Sequence, residues 1–137
     1  MNEKEAYLKI AERTLDSSEK LINEGLQETS GFYTYHAFES LGGALCAHFN
    51  REYPQGHDKK INQFIATSSK VDNQFKRAVS EVATILQSFG RNNFLYPDRQ
   101  PNGSIKLPQD KLTKTDAQDM LRRVKGIRNR LKKIIAS

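Results

Sequence analysis

Apolar residues recur at three- and four-residue steps through much of the second half of this chain, and that spacing confines it to helices. Phe75, Val79, Val82, Leu86 and Phe89 make one stripe, and Ala117, Leu121, Val124, Ile127, Leu131 and Ile134 make another. At ~100° per residue each set falls on one side of a helix, whereas a half-buried strand needs strict alternation. No segment alternates in that way. The pattern predicts one helix over 72–95 and another opening at Thr115-Asp116-Ala117-Gln118, which fits a capping box.

The first half reads the same way. Residues 4–26 predict a charged helix with Ala6, Ile10 and Leu21 on one side, closing near Gly25. Thr29 or Ser30 is expected to cap a second helix to about Phe49 or Arg51, with Ala37, Phe38, Leu41, Ala44, Leu45, His48 and Phe49 at helical spacing. Gly42, Gly43, Ala44 and Ala47 leave little side-chain volume there, so a neighbouring element can approach closely. Tyr53-Pro54-Gln55-Gly56 is a turn, followed by a short helix from Asp58 to Thr67 with Ile61, Phe64 and Ile65 inward. Residues 96–114, with Pro97, Pro101, Gly103 and Pro108, predict a long loop, a length that is usually functional or disordered. The expected fold is all-α: one domain over 1–137, an antiparallel up-and-down bundle of four long helices and one short helix.

At 137 residues the chain can bury a core without a staple, and its single cysteine, Cys46, excludes an internal disulfide framework. No apolar run approaches the ~18 residues of a membrane span, and the N-terminus lacks a signal-peptide core, so a cytoplasmic protein is expected. The net charge of +6 is uneven. Residues 1–28 hold four basic and seven acidic side chains; residues 111–137 hold nine basic and two acidic. A basic segment of this kind suits polyanions such as RNA or nucleotides, or serves as a solvated helix face. On the last helix Arg122, Arg123, Lys125, Arg130, Lys132 and Lys133 fall outward. Arg128 falls within the apolar arc, where a cation must snorkel, pair with a carboxylate or enter a polar cleft.

The densest polar cluster is Arg91-Asn92-Asn93-Phe94-Leu95-Tyr96-Pro97-Asp98. Proline disfavours helix in the residue before it, so the helix entering this stretch is expected to end near Leu95 or Tyr96, at a frayed end rich in donors and acceptors. His36, His48 and His57 form no ligand spacing with Cys46 or a carboxylate, so no metal is predicted. His48 reads as a hydrogen-bonded core histidine. There is no phosphate-binding glycine loop and no nucleophile elbow, and no cofactor is expected.

Taken in order, Phe32-Tyr33-Thr34-Tyr35-His36-Ala37-Phe38-Glu39-Ser40-Leu41, Gly56-His57-Asp58, Leu95-Tyr96-Pro97-Asp98 and the Pro108 segment leading to Asp116-Ala117 resemble the HEPN superfamily across nearly the whole chain. The resemblance implies a small helical RNA- or nucleotide-binding domain. Many members are metal-independent RNases with an Arg, a following polar residue and a His after four to six intervening residues, brought together by dimerisation. Arg91-Asn92 matches the start of that motif, but positions 96, 97 and 98 hold Tyr96, Pro97 and Asp98. A phenol with a pKa of ~10 is a poor substitute for an imidazole in proton transfer. Arg51 and His57 have the literal spacing, yet they span the Pro54–Gly56 turn and are set aside. Arg128-Asn129 also lacks the His.

The resemblance thus implies a homodimer that binds RNA or a nucleotide, in a prokaryotic toxin–antitoxin or defence system, weakly active or inactive as an RNase. Arg91, Asn92 and Tyr96 are the candidate catalytic residues; Arg91, Arg122, Arg123, Lys125 and Arg128 are the candidate RNA contacts. Some members are toxins neutralised by a nucleotidyltransferase, which makes such an antitoxin a candidate partner. Two alternatives stand beside this reading: a non-catalytic module whose basic last helix docks an acidic partner, and an active metal-independent RNase.

Overall fold

A computed structural model describes all residues, 1–137. The long helices are α1 (Glu3–Asn23), α2 (Gln27–His48), α4 (Asn73–Phe89) and α6 (Lys114–Ala136). Two shorter ones are α3 (His57–Ser68) and the single turn α5 (Pro108–Lys111). The fold is all-α, and its only strands, β1 (Asp98–Arg99) and β2 (Ile105–Lys106), pair as a two-residue antiparallel hairpin. No helix is long and apolar enough to cross a membrane.

Helix α2 is the axis of the bundle and touches α1, α3, α5 and α6. Fourteen of its 22 residues are buried, so it is enclosed on nearly every side rather than amphipathic. Phe38 and Phe64 meet with ring centroids 4.9 Å apart and neither is exposed. The small residues of α2 act as expected. A Cβ on Gly42 would stand 2.9 Å from Phe64 Cβ and 2.5 Å from the Tyr53 hydroxyl, and one on Gly43 would stand 2.6 Å from the Tyr7 ring. The bare backbone of α2 therefore lets α3 and the 53–56 turn approach on one side and α1 on the other.

Several expectations are corrected in detail. The buried face of α1 is Ala11, Thr14, Leu15, Ser18 and Ile22, while Ile10 is exposed. Hydroxyls disguised that face in the sequence. Ser18 Oγ lies 2.7 Å from Ser30 Oγ and 2.6 Å from Thr34 Oγ1, so α1 and α2 share a satisfied polar contact inside the core. Ser30 is spent there and caps nothing; α2 starts at Gln27 after Leu26, without a side-chain cap. His48 is half-buried, edge-on to Phe49 with centroids 5.0 Å apart, and makes no side-chain hydrogen bond. The box that opens α6 is Thr113 with Asp116, not one starting at Thr115.

The largest differences lie after α4. That helix ends at Phe89, well before Leu95, because Gly90 adopts φ +77°, which L side chains rarely adopt. Arg91–Phe94 then form a 3₁₀ turn. The 96–114 segment is not one open loop: it folds into the small hairpin and α5, with Leu112 buried.

Candidate phosphate-binding cleft

Three local features build one cleft. The first is Glu39 of α2, whose side chain is only 4% exposed. Its backbone carbonyl accepts a 2.5 Å hydrogen bond from the Tyr53 hydroxyl, and its Oε2 lies 2.6 Å from His57 Nδ1. Both contacts tie the 53–57 segment to α2 and set where α3 begins. The second is the start of α3. Gly56 is extended and offers no side-chain cap, so the first amides of the helix keep their free donors.

The third feature is the turn at Gly90. Asn93 donates its side-chain amide to the Phe89 carbonyl and closes the end of α4. Phe94 turns inward to pack against Tyr35 and Phe89, with centroids 6.5 Å from each. Arg91 is left with its guanidinium 5.0 Å from the Phe32 ring centroid. No carboxylate stands within ion-pairing distance of it. A cation on an aromatic face is held in direction while its charge stays available.

The resulting cleft encloses about 610 Å³ and is lined by Tyr35, the first turn of α3 from Gly56 to Lys59, Gln87 and the Gly90–Asn93 turn. Burial pushes the Tyr35 phenol up to about 12, with Glu39 and Asp58 acting in the same direction, so it stays protonated near neutral pH. His36, three residues before Glu39, is pushed below its ordinary value, chiefly by burial; Lys60, Arg91 and His57 push the same way and Glu39 opposes them. Two cations, an imidazole, amide side chains and an uncapped helix start suit an anion such as a phosphate. No three His, Cys, Asp or Glu side chains converge as a metal ligand set.

Arg91 and Asn92 thus sit in one cleft, while Tyr96 does not line it. Tyr96 is 59% exposed, and its carbonyl accepts from Lys111 Nζ at 3.1 Å, which fixes the backbone and leaves the phenol in solvent. The basic residues of α6 belong to another face. Arg122, Lys125 and Asn129 line a groove against Glu19 and Asn23 of α1. Arg122 and Arg123 both bond Asp119, Lys125 reaches Glu19 at 3.1 Å, and Arg128 Nη1 meets Glu12 at 3.0 Å. Of the three outcomes open to Arg128, pairing with a carboxylate is the one realised.

His57 lines the cleft as well, although it is not among the candidates drawn from the sequence. Its spacing from Arg51 fits the arginine–histidine motif, but Arg51 lies in a separate groove at the end of α2 with Glu52, Tyr53 and Gln63. Its partners here are Glu39, 18 residues earlier, and Arg91, 34 residues later in the chain. The available signal was Gly56-His57-Asp58 at a helix start, without any indication of what that start would face.

Comparison with known proteins agrees with this architecture. No characterised protein and no solved structure matched the chain significantly. The HEPN domain family matches residues 4–134, from the first turn of α1 to the last turn of α6. On that span, the chain belongs to the HEPN domain family.

Proposed function

We propose that this HEPN domain binds RNA or a nucleotide through its phosphates at the cleft of Arg91, within a prokaryotic toxin–antitoxin or defence system. The family supports a nucleotide- or RNA-related role in general terms. The observation that carries the specific reading is Arg91 itself, stacked on Phe32, free of any carboxylate and beside the uncapped start of α3. Free positive charge held in a fixed direction is what phosphate recognition requires.

The protein acts as a homodimer in this reading, with a nucleotidyltransferase as its candidate antitoxin. The motif beginning at Arg91 makes a weak RNase at best, because Tyr96 lies outside the cleft and is a phenol. The alternative docking role for α6 has a groove of about 560 Å³ in its favour, but carboxylates already engage the cations along it.

The test is fluorescence polarisation of a short labelled RNA of mixed sequence, with parent protein and Arg91→Ala. Binding should weaken as salt rises, and Arg91→Ala should lower affinity at least about tenfold, the worth of one charge-assisted contact. Equal binding by the two proteins would remove the cleft from the interaction.

A further inference from the structure

The chain has five tyrosines, and four of them are engaged within the fold. Tyr7 meets Tyr53 edge-on with ring centroids 5.7 Å apart, and the Tyr53 hydroxyl donates to the Glu39 carbonyl. Tyr33 lies edge-on to Phe32 at 5.9 Å, and Tyr35 is buried against Phe94. Tyr96 differs from all four. Its ring is exposed and pairs with no other aromatic ring, and its hydroxyl makes no hydrogen bond within the chain.

A solitary exposed apolar side chain is ordinary. Two observations set Tyr96 apart. Its backbone is held on both sides. The amide donates to the Asn92 carbonyl at 3.0 Å, and the carbonyl accepts from Lys111 Nζ, which also bonds Asn93 Oδ1 at 3.2 Å. Pro97 narrows the backbone freedom of the residue before it still further. The ring therefore stands on a fixed stem, which lowers the ordering cost of any contact it makes.

The second observation is what adjoins it. Asn92 lines the Arg91 cleft, so the stem of Tyr96 begins one hydrogen bond from that site. The cleft gives a nucleotide little to stack on. Tyr35 is 3% exposed, and Phe32 presents its ring to the Arg91 guanidinium. Beyond the small His57 imidazole, a base attached to a phosphate at Arg91 finds its open ring outside the cleft, at Tyr96. Every base has a π-face, and an unpaired base is free to lay it on an aromatic side chain.

We propose that Tyr96 is a stacking platform for an unpaired base of a single-stranded RNA whose phosphate is held at Arg91. This rests on the reading that the cleft binds RNA phosphate. Arg91 takes the charge and Tyr96 takes the base, so strandedness is read at Tyr96 and not in the cleft. A base already paired and stacked in a duplex has no free face to offer. Leu95, Ile105 and Leu107 are exposed in the same segment, which makes a protein the competing occupant.

The experiment is fluorescence polarisation of the full chain with three labelled ligands: a short oligoadenylate, the same strand paired with oligouridylate, and an abasic strand of equal length and charge. Tyr96→Ala should weaken oligoadenylate binding about 5–100-fold, the worth of one stacked base, while Tyr96→Phe stays within about threefold of the parent. Tyr96→Leu, which keeps apolar bulk without a π-face, should lose as much as Tyr96→Ala. The duplex and the abasic strand should bind parent and Tyr96→Ala alike, and both should still depend on Arg91. Equal binding of oligoadenylate by parent and Tyr96→Ala, with the dependence on Arg91 intact, would overturn the platform and leave the cleft standing. So would full affinity in Tyr96→Leu, which marks an apolar docking face, or an equal loss on the abasic strand, which marks a residue that only holds the Arg91 turn. Absence of RNA binding by the parent, or no effect of Arg91→Ala, would overturn both readings.

Discussion

The Arg91 cleft and the basic face of α6 hold similar side chains and differ in what surrounds them. On α6, Arg122, Arg123, Lys125, Arg128 and Lys132 each lie within 4.0 Å of a carboxylate of Asp119, Glu19 or Glu12. The acidic first helix and the basic last helix are packed together, so part of the charge asymmetry of the chain is neutralised within the fold. In the cleft, Arg91 rests on an aromatic ring with no carboxylate within 4.0 Å, although Asp58 lines the same cleft. Charge density along a sequence is therefore a poor guide to free charge. Two helices of opposite sign conceal it from one another, and a single arginine at a break keeps it.

That contrast can be broken most directly at Arg91. Arg91→Ala should lower RNA affinity about 10–100-fold, the worth of a charge-assisted hydrogen bond to an ionised partner. Arg122→Ala, Arg123→Ala and Lys125→Ala combined should lower it less than about threefold, since exposed pairs of this kind contribute ~0–1 kcal/mol and their charges are already answered. Polarisation at two salt concentrations decides it, and the reverse ranking would return the site to α6.

Glycines offer a second comparison. Gly42→Ala should destabilise the protein by about 1–3 kcal/mol, because its Cβ meets Phe64 and Tyr53 at the joint that places α3. Gly126→Ala on α6 should stabilise it by about 0.5–1 kcal/mol, because nothing lies within 4 Å and alanine is the better helix former. Urea unfolding measures both, and equal effects would show that the close approach at α2 is relaxed in solution.

Alkaline unfolding sharpens the picture of the cleft floor. Tyr35 is raised to about 12, and Tyr53 is raised further by burial. An acid whose folded pKa is raised contributes stability that is complete below its unfolded value of ~10 and is lost as pH rises through the folded one. Stability should therefore fall between about pH 10 and 12, and Tyr35→Phe should reduce that fall. A parent and variant with the same alkaline profile would refute the assignment.

At Arg128 the effect is expected on stability alone. Its pair with Glu12 is partly buried, so Arg128→Met should cost about 1–2 kcal/mol, between an exposed and a buried pair. RNA binding should not change. A loss of affinity without a loss of stability would show that Arg128 reaches the ligand after all.

The all-α class, the number of long helices and the stripes of α4 and α6 were legible in the chain, because three- and four-residue spacing is a local property. The close approach at Gly42 and Gly43 was legible as well, since a run of small residues has few other uses inside a helix. What misled was equally physical. Pro97 places the expected end of α4 near Leu95 or Tyr96, because proline disfavours helix in the residue before it, yet Gly90 at positive φ ends the helix first. The face of α1 differs from expectation because Thr14 and Ser18 count as polar, whereas Thr14 bonds back to the Ile10 carbonyl of its own helix and Ser18 finds partners on α2.

The sequence by itself determined the long helical segments, and its resemblance to the HEPN superfamily pointed to Arg91 and Asn92 as candidates. Only the tertiary structure decided which charges are free and which imidazole faces that arginine. Local periodicity is written in neighbouring residues, whereas Glu39, His57 and Arg91 come from three elements whose meeting depends on how α2, α3 and the turn after α4 pack. No spacing rule along one helix encodes that junction.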